Sequence, residues 1–92
     1  MYNITQYTYD KAKQLKLHVV PSKKKNHKID IFSPSGTFLA SVGDSRYKDY
    51  PTYLKEDGFA YAENRRRLYK IRHQKDRQIV GSRGWYADQL LW

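Results

Sequence analysis

Lys28-Ile29-Asp30-Ile31-Phe32-Ser33-Pro34-Ser35-Gly36-Thr37-Phe38-Leu39-Ala40-Ser41-Val42 is the stretch on which the fold turns. Two apolar, β-branched and aromatic runs, Lys28–Phe32 and Thr37–Val42, flank Ser33-Pro34-Ser35-Gly36. Proline at the second position of that tetrapeptide suits a type I turn, and glycine at the fourth can take the left-handed conformation that closes a hairpin. Two strands alone are marginal in water, so a third is expected. Upstream, Leu15, Leu17 and Val19 alternate with Lys16 and His18, the two-residue period of a strand, and Pro21 ends the run. Together these features read as an α+β fold: a small three-stranded antiparallel sheet from residues 15–43, packed by C-terminal helices from residues 51–92.

Past the sheet, Gly43-Asp44-Ser45 is a break. Asp49-Tyr50-Pro51-Thr52-Tyr53-Leu54-Lys55-Glu56-Asp57-Gly58 then reads as a short helix, with Pro51 at its first position, Asp49 or Tyr50 at the cap and Gly58 just past the end. A longer helix is expected from about Phe59 to Gln78, a run without Gly or Pro. Gly81-Ser82-Arg83-Gly84 is a turn, and Trp85–Trp92 supplies one or two final helical turns. Before the sheet, residues 1–13 are polar and Tyr-rich, an N-terminal arm or short turn of helix that orders on a partner. Residues 14–92 form a single basic domain.

A chain of 92 residues has a thin core, burying only roughly 60–65% of its unfolded surface. Disulfides, metals or partners often make up such a deficit. Cysteine is absent, and His18, His27 and His73 are scattered without metal-ligand spacing, so no metal or cofactor is expected. A partner surface remains. The formal charge of +9, from 18 Lys and Arg against 9 Asp and Glu, attracts polyanions: DNA or RNA, an anionic membrane, or acidic protein surfaces. No apolar run has the length of a membrane span, and the first residues lack the features of a signal peptide. The expected setting is intracellular or within a particle.

The basic loop Ser22–Lys28 carries Lys23, Lys24 and Lys25, either a solvated connector or a phosphate-contacting loop. On the long helix, Tyr61, Ala62, Leu68 and Tyr69 share one arc, flanked by Phe59. Glu63, Arg67, Lys70 and Gln74 fall opposite, an ordinary wet face with a Glu63–Arg67 pair. Arg65 and Arg72 lie inside the apolar arc, where a charge must snorkel, find a carboxylate or face a partner. The first expectation for these two is a lock onto Asp44, Asp49, Asp57 or Asp88. Arg66, Arg67 and Lys70 are expected to reach solvent and meet phosphates or acidic groups. Tyr7, Tyr9 and the terminal Trp92 are further candidate contacts, although Trp92 is first expected to pack on its own sheet. His73 and Asp76, three residues apart, lack a nucleophile, Gly-rich loop or second carboxylate at recognisable spacing. No catalytic residue and no small-molecule substrate are therefore expected.

Three segments in this order resemble a family of small basic proteins encoded by large nucleocytoplasmic DNA viruses of algae and amoebae. Ser41-Val42-Gly43-Asp44-Ser45-Arg46-Tyr47-Lys48-Asp49-Tyr50-Pro51 is similar to an FGxxxYxDY segment, and Arg65–His73 to RRxxYxxRH. Gly84–Trp92 is similar to a GxxSxxLLW ending, with Ala87 or Tyr86 near the place of the Ser. The likeness covers roughly residues 28–92 and implies a virus-encoded protein and a component of the particle.

The expected function is thus a non-enzymatic virion structural protein of minor capsid or cement type, docking onto larger shell proteins. Its place is the virion, or host cytoplasm or nucleus during assembly. The alternative is sequence-nonspecific nucleic-acid binding or genome packaging, through Lys23–Lys25 and Arg65–Lys70. Attachment to a membrane surface ranks behind both, because no amphipathic helix joins the basic patch to an inserting apolar face.

Overall fold

The computed structural model describes residues 2–92. In chain order the elements are α1 (Gln6–Gln14), β1 (His18–Pro21), β2 (His27–Phe32), β3 (Phe38–Asp44), α2 (Tyr50–Asp57), α3 (Phe59–Arg72), a 3-10 turn (Asp76–Gln78) and α4 (Arg83–Leu91). The class is α+β, with the strands in an antiparallel sheet of order β1-β2-β3. The chain divides into two compact units, one ending at Tyr47 and one running from Lys48 to Trp92, where the sequence led to one domain from residue 14.

In the first unit the hairpin forms as its turn residues dictate. Gly36 N–H donates to Ser33 O at 2.9 Å, Ser33 N–H donates to Thr37 O at 2.8 Å, and Gly36 sits at φ +90°. The register pairs Ile29 with Val42, and Ile31 with Ala40 and Val19. Alternate residues of a strand share a face, so these five make one apolar stripe. Ile29 and Ile31 are fully buried at its centre. Between Ile31 and Phe32 the partner shifts from Ala40 to Phe38, leaving Leu39 as the extra residue of a bulge. Phe32 then meets Phe38 edge-on, with ring centroids 5.7 Å apart. On the other face Ser41 Oγ donates to Asp30 at 2.6 Å.

The first strand begins at His18, not at Leu15, and the expected arm is a helix. Thr5 caps α1, while Thr8 and Ala12 are buried; Met1 of the expected arm lies outside the described residues. Lys16 adopts φ +58°, its N–H donates to Lys13 O, and Leu17 N–H donates to Ala12 O. That pair of bonds is the Schellman closure of a helix C-terminus. Leu15 and Leu17 therefore belong to a cap, which explains why their alternation does not continue the strand. Pro21 pairs with Ile29 on β1, an edge strand, where a missing N–H is tolerated.

In the second unit α2 follows its signals. Asp49 is fully buried and accepts from Thr52 N–H at 3.1 Å and Thr52 Oγ1 at 2.6 Å, Pro51 opens the helix and Gly58 ends it. α3 stops at Arg72, six residues short of the expected Gln78, although no Gly or Pro marks the place. Arg77 Nε folds back to donate to Lys70 O at 3.1 Å, satisfying a terminal carbonyl of α3. Ser82 Oγ accepts from Trp85 N–H at 3.1 Å to start α4 and donates to Asp76 O at 3.0 Å. The 3-10 turn and α4 meet at Gly84, where a Cβ would lie 2.8 Å from Asp76 Oδ2. Trp92 stacks on Tyr69, with centroids 4.3 Å apart and planes 7° from parallel.

Two outcomes test this packing. Ile31→Ala should cost about 3 kcal/mol in denaturant unfolding through lost burial and the cavity left behind. Gly36→Ala should cost about 1–2 kcal/mol from backbone conformation alone, since nothing lies within 4 Å of an added Cβ. Burial, helped by the nearby Asp88 and Asp76 carboxylates, pushes the Tyr69 hydroxyl up to about 12. Because the unfolded chain releases that proton first, near pH 10, Tyr69 stabilises the fold below that pH. Its contribution should fall as pH rises to about 12. Tyrosinate absorbance should show one late-titrating ring, absent in Tyr69→Phe.

Candidate functional site

The buried side of α3 is built from Ala62 and Tyr69, both buried, with Arg66, Lys70 and His73 half-buried beside them. These positions follow the i, i+4, i+7, i+8, i+11 spacing of one helical stripe. The expected apolar arc is therefore turned: Tyr61, Leu68 and Phe59 are exposed, and so is Arg72. Polar attraction accounts for the turn. Asp88 on α4 is only 4% exposed and receives Lys70 Nζ at 2.7 Å, while Tyr50 OH donates to Glu63 Oε2 at 2.6 Å. A buried carboxylate without a cation would cost more than an exposed leucine does, so Lys70 turns inward and Leu68 turns out.

Two sets of cations accordingly depart from their expected environments. Arg66 lies 4.5 Å over the Tyr50 ring and 3.6 Å from Glu63, and Lys70 is held by Asp88, so neither simply projects into solvent. Arg72 is exposed, and the Arg65 guanidinium stands 5.3 Å over the Tyr53 ring. Among the described residues Arg65 and Arg72 form no salt bridge with any of the four expected carboxylates: Asp44 takes Arg46 at 2.8 Å, Asp49 caps α2, Asp88 takes Lys70, and Asp57 is exposed. Arg65 Nε is buried and finds no hydrogen-bond partner among the described residues. Arg67 is exposed and donates to Asn64 at 2.8 Å. The expected Glu63–Arg67 pair gives way because Tyr50 and Arg66 take the Glu63 carboxylate.

An open groove of about 510 Å³ runs along α3 beside its buried stripe, lined by Glu63, Arg66, Arg67, Lys70, Ile71, Gln74 and Arg77. Its wall includes every residue of the face read from sequence as ordinary and wet. Four of the seven lining residues are cations and one is an acid, which makes the groove basic. Arg77 reaches the groove from beyond the end of α3, where its Nε bonds Lys70 O. The break is held by His73 Nδ1 at 3.1 Å from Asp76 Oδ2, a hydrogen bond that holds the Asp76 carboxyl below the ordinary aspartate range. Ile71 carries no chemical signal by itself and was not legible as a site residue, whereas Arg77, seven residues after Lys70 and on its stripe in an unbroken helix, was passed over.

The remaining candidates belong to the first unit or to its sister's interior. Lys23, Lys24 and Lys25 are exposed on the β1–β2 loop, which Asn26 closes at φ +64° and Ser22 N–H ties to Lys28 O at 3.0 Å. Lys28, next along, is 4% exposed with its Nζ 5.3 Å over the Tyr2 ring, a placement that the basic run concealed. On α1, Tyr7 is half-buried and Tyr9 exposed. Trp92 is occupied by its stack on Tyr69 of α3, so that face of its ring is not open to a partner. His73 stacks on the same ring, Tyr69, at 4.3 Å. Among the described residues no three His, Asp or Glu gather as a metal site, and no helix is long and apolar enough to cross a membrane.

Replacing Lys70 by Met should cost about 2–3 kcal/mol in urea unfolding, because Asp88 is left buried without its cation. Lys70→Met with Asp88→Leu should recover a large part of that loss. Compared with protein-family models, with curated proteins and with solved structures, the chain matches none, so the site stands on its own geometry.

Proposed function

We propose that the protein is a non-enzymatic docking module that attaches to a larger protein through the outer side of α3 and the segment after it. One observation carries this reading. Leu68, Ile71, Ile79 and Val80 are 41%, 60%, 62% and 76% exposed, among the exposed cations Arg67 and Arg72. Isolated exposed aliphatics are ordinary, but several on one short stretch beside arginines have the composition of a protein interface. The resemblance to small basic viral proteins supports a virion shell as the setting, in a minor capsid or cement role.

A second reading, nucleic-acid binding, is favoured by Lys23, Lys24 and Lys25, three exposed adjacent cations on one loop. Salt separates the two. A docked shell component should remain on purified particles through about 200 mM salt, and Lys75 should cross-link to a shell protein. A nucleic-acid binder should shift DNA at low salt, with affinity falling by a log–log slope of about −0.9 per phosphate neutralised. Release from particles by salt together with that slope would replace the docking reading by the second.

A further inference from the structure

We infer that the open groove on α3 is a recognition site for an acidic peptide segment carrying an aliphatic side chain. The inference rests on the docking reading and names the chemistry of the partner. From Glu63 to Arg77 the chain carries seven Lys or Arg against two acids, so the local field favours an anionic ligand. The groove's own cations are unequally engaged. Lys70 is matched by Asp88 and Arg66 faces Glu63, whereas among the described residues Arg67 meets only the neutral Asn64 amide. Arg77 is anchored through Nε on Lys70 O, and among the described residues its two terminal amino groups have no intramolecular partner. A guanidinium held by one edge offers a rigid fork that fits a carboxylate.

The lining decides between anionic partners. It holds no aromatic ring, whereas single-stranded nucleic acid binds through ring platforms for its bases. It does hold Ile71, 60% exposed, and the aliphatic stems of Arg66, Arg67 and Lys70. Phosphates and sugars gain nothing by covering an isoleucine; a leucine, isoleucine or valine of a peptide does. A second copy of this chain is disfavoured as occupant by its own charge of +9. Acid flanking an aliphatic residue satisfies both halves of the groove.

The test uses the full chain and fluorescence anisotropy with a short labelled peptide in which glutamates surround a leucine pair. The comparison probes are the same peptide with alanines for the leucines, and an oligo-dT of equal charge. The leucine peptide should bind at least about tenfold more tightly than the alanine peptide. Ile71→Ser should erase that difference, and Arg67→Glu should weaken both peptides by about tenfold or more, with unchanged circular dichroism. Arg77→Gln supplies a second charge variant should the first unfold. No binding of the leucine peptide would overturn the inference. So would equal binding of all three probes untouched by Ile71→Ser, or concentration-dependent self-association abolished by that change. If these outcomes occur while particle cross-links from Lys75 persist, the docking reading survives and only the acidic partner is withdrawn. If the cross-links are also missing, the docking reading falls too.

Discussion

The ion pair between Lys70 and Asp88, 2.7 Å long with the carboxylate 4% exposed, is the constraint that the second unit obeys. A carboxylate taken out of water needs a cation at hydrogen-bond distance, and α3 must rotate to bring one. Once Lys70 faces α4, the helix geometry fixes everything else on α3. Tyr69 goes under Trp92, Arg66 goes over Tyr50, and Leu68 and Ile71 are left facing water. The rotation thus trades buried leucine for a satisfied charge. Its consequence is an aliphatic row on the outside of a basic helix.

The end of α3 has a similar logic. Four carbonyls at a helix C-terminus lack partners, and here Arg77 supplies one donor from outside the helix. His73, stacked at 4.3 Å on Tyr69 and bonded to Asp76, occupies the C-cap. Ser82 and Gly84 then fit the 3-10 turn against the start of α4. The groove exists because this return brings Arg77 back beside Lys70. A longer helix would present a convex row of cations, with nowhere for a side chain of a partner to enter.

The hairpin and the short helix were readable locally because each depends on residues next to one another. Pro34 and Gly36 specify the turn, and Asp49, Pro51 and Gly58 specify the start and stop of α2. Errors arose where a local pattern had two physical meanings. Leu15-Lys16-Leu17 alternates like a strand, yet Lys16 in a left-handed conformation closes α1. Of the candidate site, Arg66, Arg67 and Lys70 were identified and do line the groove, while Ile71 and Arg77 were missed and Trp92 is turned inward. The helical phase was misjudged because the hydrophobic pattern alone cannot weigh a carboxylate eighteen residues away.

By itself the sequence determined the α+β class, the strand pairing around Ser33–Gly36, the capping of α2 and the basic, cysteine-free character of the chain. Those properties follow from neighbouring residues or from composition, and no distant contact can alter them. Tertiary structure alone decided which face of α3 is buried, where that helix stops, and which arginines are free to meet a partner. The buried face depends on pairing groups far apart in the chain, Lys70 with Asp88, Tyr50 with Glu63 and Trp92 with Tyr69, and the end of the helix on the return of Arg77 to Lys70. The free energy of placing a buried charge or ring is set by what stands opposite it, and only folding supplies that neighbour.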